Sequence, residues 1–294
     1  MKSKSIAIPL SIFSLILLPA CGSTPVIIAA SSATPPPATA TASPTALPTD
    51  TPLPPNPCDN VLFPLLPGSQ WIYQVTSSDG SQPAKLGLTV DKVVQSQAAI
   101  NALNMSTGVL AQATAECDNG AILDFPSLTQ LMLLGNAAAS KVTVKYVSGV
   151  FAPAEADFKA HDWFYQWTTD LTATGTLNVQ DGATQAQIVM NDSPIHLACK
   201  TAGSGEAAFE PLTVQAGTFQ KALKVLCQVQ SDVSLIANGT HLKGKIILQT
   251  TQWFDPSAGL LKSQVDSGNV VYLGMNFPVQ LKNTLELLEF HPGQ

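Results

Sequence analysis

Trp71-Ile-Tyr-Gln-Val-Thr-Ser-Ser78 returns later in the chain as Trp163-Phe-Tyr-Gln-Trp-Thr-Thr-Asp170, each copy following a polar stretch. Aromatic and β-branched residues of this kind favour half-buried strands. With a side-chain period of two, Trp71 and Tyr73 project from one face of the first strand, and Trp163, Tyr165 and Trp167 from one face of the second. The spacing is about ninety residues, which suits two related β units packed into one domain, although two copies with weak similarity elsewhere can also arise by chance. The rings have two uses. Buried, they supply the aromatic area that dominates the stability of a β domain. Exposed, Trp71, Tyr73, Trp163, Tyr165 and Trp167 would form a platform for stacking sugars or apolar ligands.

Outward from this pair the same signals continue. Lys85-Leu-Gly-Leu-Thr-Val90, Val142-Thr-Val-Lys-Tyr146 and Lys243-Gly-Lys-Ile-Ile-Leu-Gln-Thr250 are rich in β-branched or aromatic residues and partly alternate. Asp79-Gly80, Asn119-Gly120, Asp181-Gly182, Asn238-Gly239 and Ser267-Gly268 punctuate the chain with dipeptides that favour tight hairpins. The expected fold is therefore all-β and mainly antiparallel: a curved sheet or half-barrel built of two related halves, with little helix. One short helix is predicted at 127–134, after Pro126 in a first-turn position, and 281–290 reads as either a helix or a final strand. Residues 58–294 are long enough for one large β domain, with halves at 58–150 and 151–294.

The chain begins with charges at Lys2 and Lys4, runs apolar from Ile6 to Leu18 around Pro9, and then reads Leu18-Pro-Ala-Cys21. A charged start, a short apolar run and small residues before a cleavage point define a secretion signal, here residues 1–20. The run is too short to span a bilayer, which needs about twenty apolar residues. The tetrapeptide resembles the bacterial lipobox. That resemblance implies that Cys21 becomes the mature N-terminus, carries a diacylglycerol thioether and holds the protein on the extracytoplasmic face of a bacterial membrane. Two or three acyl chains anchor stably where one would be marginal. The other reading is an ordinary secreted protein, cut near Ala20 with Cys21 unmodified. From 21 to 57 Ser, Thr, Ala and Pro dominate, as in Ala33-Thr-Pro-Pro-Pro37 and Thr51-Pro-Leu-Pro-Pro55, and Asp50 is the only charge. Such a stretch builds no core, so it reads as a disordered, semi-rigid tether with a reach of up to ~100 Å at about 3.1 Å per residue.

Over the 294 residues the formal net charge is −6 and 12% of residues are charged, with no basic patch suited to nucleic acid. With Cys21 set aside, Cys58, Cys117, Cys199 and Cys227 remain, an even set that allows three pairings in an oxidising compartment. Cys58 with Cys117 would staple the start of the domain to the end of the first half's sheet, and Cys199 with Cys227 would tie neighbouring strands in the second half. These are the expected bonds. His161, His196, His241 and His291 are scattered without ligand spacing and no Cys-x-x-Cys occurs, so no metal or cofactor is expected. Cys58-Asp-Asn60 and Cys117-Asp-Asn119 repeat one phrase. Bonded cysteines would bring Asp59 and Asp118 together as oxygen donors of a calcium site; the alternative is that Asp and Asn supply turns beside each cysteine.

No Gly-x-Ser-x-Gly elbow, Ser-x-x-Lys motif, phosphate-binding glycine loop or His-Glu-x-x-His helix is present. His161-Asp162 is the nearest polar pair, but neighbours on a strand face opposite ways, and a surface turn accounts for it. Phe63-Pro-Leu-Leu-Pro-Gly-Ser-Gln-Trp-Ile-Tyr73, Glu116-Cys-Asp-Asn-Gly120, Val214-Gln-Ala-Gly-Thr-Phe219 running into Ala222-Leu-Lys-Val225, and Gln252-Trp-Phe-Asp-Pro-Ser-Ala-Gly-Leu-Leu-Lys262 together resemble a family of uncharacterised bacterial envelope lipoproteins. More remotely, the late hairpins are similar to those of Lol-type lipoprotein carriers, whose curved sheet holds acyl chains against a helix. The resemblance brings no catalytic residues. What it implies, together with the leader, is a monomeric, membrane-anchored, non-catalytic binder of an apolar or amphipathic ligand, or of an envelope partner such as a lipid, sugar or protein. The alternatives are a structural or adhesive surface module on a stalk and, third, a hydrolase with an unrecognised site.

Overall fold

The computed structural model describes residues 56–76, 82–125, 141–181, 184–237, 240–279 and 283–293. The secretion signal, Cys21, the tether as far as residue 55 and the helix expected at 127–134 lie outside the described residues. In β1 (Gln70–Thr76) burial alternates along the strand, and Trp71, Tyr73 and Val75 are the buried positions. The following strands are β2 (Ala84–Val94), β3 (Gln97–Asn104), β4 (Val109–Asp118), β5 (Ala121–Asp124) and β6 (Lys141–Gly149). A one-and-a-half-turn helix, α1 (Glu155–Ala160), precedes β7 (Gln166–Asp181), β8 (Thr184–Thr201), β9 (Phe209–Val214), β10 (Gly217–Ala237), β11 (Thr240–Asp255), β12 (Gly259–Tyr272), β13 (Met275–Val279) and β14 (Thr284–His291). The stretch at 281–290 thus resolves as strand at Thr284–His291, where β1 supplies its backbone partners.

All ladders among the described strands are antiparallel and form one sheet, ordered β5-β4-β3-β2-β1-β14-β12-β11-β10-β8-β7-β6, with β13 paired to β12 and β9 to β10. The two ends of that order meet. Ile122 of β5 bridges Ala152, just past β6, through reciprocal N–H···O bonds of 2.8 and 2.9 Å. The sheet is therefore a nearly closed barrel, more complete than the half-barrel alternative. Asn60, buried at the closure, donates through Nδ2 to the carbonyls of Gly120, Ala152 and Pro153 at 2.6, 3.2 and 2.7 Å. Its Oδ1 accepts from the backbone N–H groups of Leu62 and Phe63. Cys58 is bonded to Cys117 beside it, and Cys199 to Cys227, its direct cross-strand partner, which is the connectivity expected from the sequence.

The N-terminal segment packs one rim. Gly68 N–H donates to Val90 O, Gly120 N–H to Pro57 O, and the ring of Phe63 meets Trp71, Phe125 and Phe254 at centroid distances of 5.6, 5.2 and 6.5 Å. The aromatic echo does not mark equivalent strands. Trp163 lies outside β7, at the end of a turn after α1 in which Asp162 and Trp163 both have positive φ (48° and 63°). Trp163 is therefore not the strand residue that the repeat predicts, because the chain must reverse out of α1 before β7 can begin.

Candidate functional site

The quoted aromatic residues separate into core and margin. Trp71 is 0% exposed, donates from Nε1 to Ala258 O at 2.6 Å and stacks on Phe290 at 5.5 Å. Tyr73, equally buried, donates to Leu260 O at 3.0 Å, and burial holds its hydroxyl well above the ordinary tyrosine range. These two rings present no surface to a ligand, which corrects their candidacy as a platform. Trp167 is also buried, with Nε1 donating to Phe151 O at 3.3 Å. Trp163 and Tyr165 are half-buried around Phe158 of α1, at 5.7 Å each. Phe164, 50% exposed, stands out from this corner. Asp59 and Asp118 are exposed beside the first disulfide, and among the described residues no group of three or more His, Cys, Asp or Glu is arranged to hold a metal ion.

The candidate site is elsewhere, on the exposed face of the longest strands. Ser148 of β6, Asp170 of β7, His196 of β8 and Gln230 of β10 are successive cross-strand partners, so one polar row crosses four strands. Adjacent rungs stand about 4.8 Å apart. His196 Nδ1 lies 2.7 Å from Asp170 Oδ1, and Ser148 Oγ donates to Asp170 Oδ2 at 3.0 Å. The hydrogen bond from His196, followed by that from Ser148, holds the Asp170 carboxyl below the usual carboxylate range. Because an ionised carboxylate only accepts, His196 Nδ1 is the donor of that bond. Ser148 serves the carboxylate and not the ring, so it is not placed as an activated nucleophile.

This row lines a cavity of about 380 Å³ whose apolar margin includes Val147 and Pro194. A neighbouring cavity of about 500 Å³ shares Asp232 and Lys245 with it. A bulge opens the surface between them. The β10–β8 register runs from Ser231↔Ile195 to Ser234↔Val189, so β8 spends three more residues than β10 over the same interval. The looped-out stretch includes Asn191, Asp192 and Ser193; Asp192 has φ 48° and its Oδ1 accepts from Thr174 Oγ1 at 2.7 Å. The sequence carried a signal for this: Asn191-Asp-Ser-Pro194 interrupts a strand pattern with turn formers and a proline, which a strand tolerates at a bulge.

The late motifs are structural. Glu210 of β9 accepts from Trp253 Nε1 at 2.6 Å and pairs with Lys224 at 3.2 Å, and those contacts, led by the Trp253 bond, hold its carboxyl below the ordinary glutamate range. Lys224 and Lys262 flank the Trp253 ring at 5.7 and 5.8 Å.

No family model matches the chain, and no curated protein matches it. Among solved structures it is similar to a Bacteroides fragilis protein described as exported with a YmcC-like fold, at 17% identity over 79% of this chain and 100% of that one, with a TM-score of 0.44. It is similar also to a Parabacteroides distasonis protein described as a lipoprotein, at 18% identity over 79% of this chain and 99% of that one, TM-score 0.44. The hypothetical lipoprotein YmcC of Escherichia coli matches at 13% identity over 77% of this chain and 86% of that one, TM-score 0.28.

Proposed function

We propose that this protein is a lipid-anchored extracytoplasmic lipoprotein whose β domain binds an amphipathic envelope ligand, without catalysis, in the groove between β6 and β12. The leader and Leu18-Pro-Ala-Cys21 support the anchor. The observation that supports binding is the groove itself: two adjoining cavities, open to solvent, lined by Asp170, His196, Gln230, Asp232 and Lys245 together with Val147, Val271 and Leu273. A surface of mixed polar and aliphatic character, placed at a bulge, suits a ligand that has a polar part and an apolar part. The arrangement of Ser148 on Asp170 supports binding over hydrolysis, since the imidazole has no hydroxyl placed on it by that pair. Acyl chains held beneath a long helix find no counterpart among the described residues, whose α-helix is six residues long.

Native mass spectrometry of the full chain, gently extracted from membranes, tests this. A co-purifying amphiphile is expected, and Gln230→Trp, which fills the groove from its floor, should release it. Retention of the ligand by that variant would remove the groove from the reading. The anchor is tested separately by Cys21→Ser, which should abolish partitioning into the detergent phase while the β domain stays folded.

A further inference from the structure

The cavity walled by the β8 bulge differs in charge from the rest of the molecule. The chain carries a formal net charge of −6, yet Lys243 and Lys245 both line this cavity, against Asp232 alone among its carboxylates. The period of two puts both lysines on one face of β11, opposite Ser234 and Asp232 of β10. Lys245 meets Asp232 at a loose 3.9 Å, and among the described residues Lys243 has no ion pair. Ser193 and Asn191 of the bulge and Ser234 add hydroxyl and amide donors to the same wall. Two ammonium groups with several neutral donors are the chemistry that holds a phosphate.

A second observation concerns the lip. Leu273 and Gly274 form the two-residue turn between β12 and β13, with φ of 50° and 77°. Such a turn favours Asn-Gly, because a bulky side chain at positive φ is strained. Leu273 is nevertheless 78% exposed, so no packing within the domain offsets the strain, and Met275, two residues on, is 54% exposed. An apolar lip thus overhangs a cationic cavity.

We infer that this cavity binds the phosphorylated headgroup of an amphiphile, with Lys243 and Lys245 on the phosphate and Leu273 against the first part of the apolar chain. The inference rests on the groove being an amphiphile site and names the headgroup it takes. The full chain carrying Cys21→Ser is titrated with dihexanoyl phosphatidic acid below its micelle concentration, with dihexanoylglycerol and with inorganic phosphate. Phosphatidic acid should bind most tightly, and Lys243→Gln with Lys245→Gln should weaken it at least about tenfold, the scale of lost charge-assisted hydrogen bonds. Leu273→Asn relieves the turn, so its melting temperature should hold or rise while phosphatidic acid binding falls and phosphate binding does not. If dihexanoylglycerol binds as well as phosphatidic acid, the phosphate site is overturned and the groove stands. Inorganic phosphate binding as tightly as phosphatidic acid overturns the amphiphile, and failure of all three probes overturns both readings.

Discussion

Trp71 and Trp163 show how far single residues could be read. The same letters surround both, but Trp71 lies between β2 and β14 with its indole N–H satisfied inside the core, while Trp163 sits at positive φ on the margin. Trp71→Ala should therefore cost about 3–5 kcal/mol through lost transfer energy and an unfilled cavity, and Trp163→Ala clearly less, as chemical denaturation of the two variants will show. A local repeat reveals composition and period; it does not reveal where α1 ends and forces the chain to turn. Asp124 was not legible at all, because its state depends on a partner across the β4–β5 ladder. It stands opposite Glu116, and burial first, then the Glu116 charge, push its carboxyl up to about 6. A group whose folded pKa is raised stabilises the fold fully below its unfolded value, and that contribution is lost as pH rises through the folded value. Stability should thus rise as pH is lowered from about 6 towards the ordinary aspartate value of 3.8, and Asp124→Asn should flatten that part of the profile in thermal melts. An unchanged slope in the variant would show that other groups control it.

At the scale of elements, strand type and disulfide pairing were legible while strand length and register were not. Cysteines on neighbouring strands leave a trace in their spacing, and the hairpin dipeptides mark the turns between them. The extent of β10, 21 residues, is set by three partners, β9, β8 and β11, that no local pattern announces. The groove escaped notice for the same reason: Ser148, Asp170, His196 and Gln230 are far apart in the chain and join only through ladder register. The disulfides allow a quantitative test. Their sequence separations are 59 for Cys58–Cys117 and 28 for Cys199–Cys227, so loop-closure entropy assigns about 4 and about 3.5 kcal/mol to them. Cys58→Ser with Cys117→Ser should cost the more of the two, and should also loosen the closure beside Asn60. The second pair, inside the unbroken Val225–Ser231 run of the β8–β10 ladder, should leave local protection there nearly intact. Hydrogen exchange and urea melts of the two double variants distinguish these outcomes.

For the whole molecule, closure of the barrel is the feature that no strand pattern contains. Twelve strands follow one another by hydrogen bonding, and the ring is then completed by Ile122 and Ala152 with Asn60 beneath them. Hydrogen bonds hold the rest of the ring along ladders, whereas among the described residues closure relies on the Ile122–Ala152 bridge, the Phe151 N–H on the carbonyls of Ile122 and Leu123, the Asn60 side chain and the adjacent Cys58–Cys117 bond. Cys58-Asp-Asn60 supplies the turn that its composition suggested, Asn60 Oδ1 accepting from Leu62 and Phe63 N–H, and does more: Asn60 joins the domain's first residues to the β4–β5 turn and to the segment after β6. Replacing it by Ala leaves the N–H of Leu62 and the carbonyls of Gly120 and Pro153 without that partner in a buried setting. The loss should amount to about 2–4 kcal/mol, since each orphaned buried group costs on the order of 1–3 kcal/mol and part is regained by relaxation. Its distribution is the sharper test. If closure is a separable, weaker unit, amide exchange in Asn60→Ala should accelerate first at Leu62, Phe63, Ile122 and Ala152, while the β10–β11 amides around Val229 and Leu248 keep the protection of global unfolding. Uniform acceleration around the ring would instead mean that the barrel opens only when it unfolds as a whole.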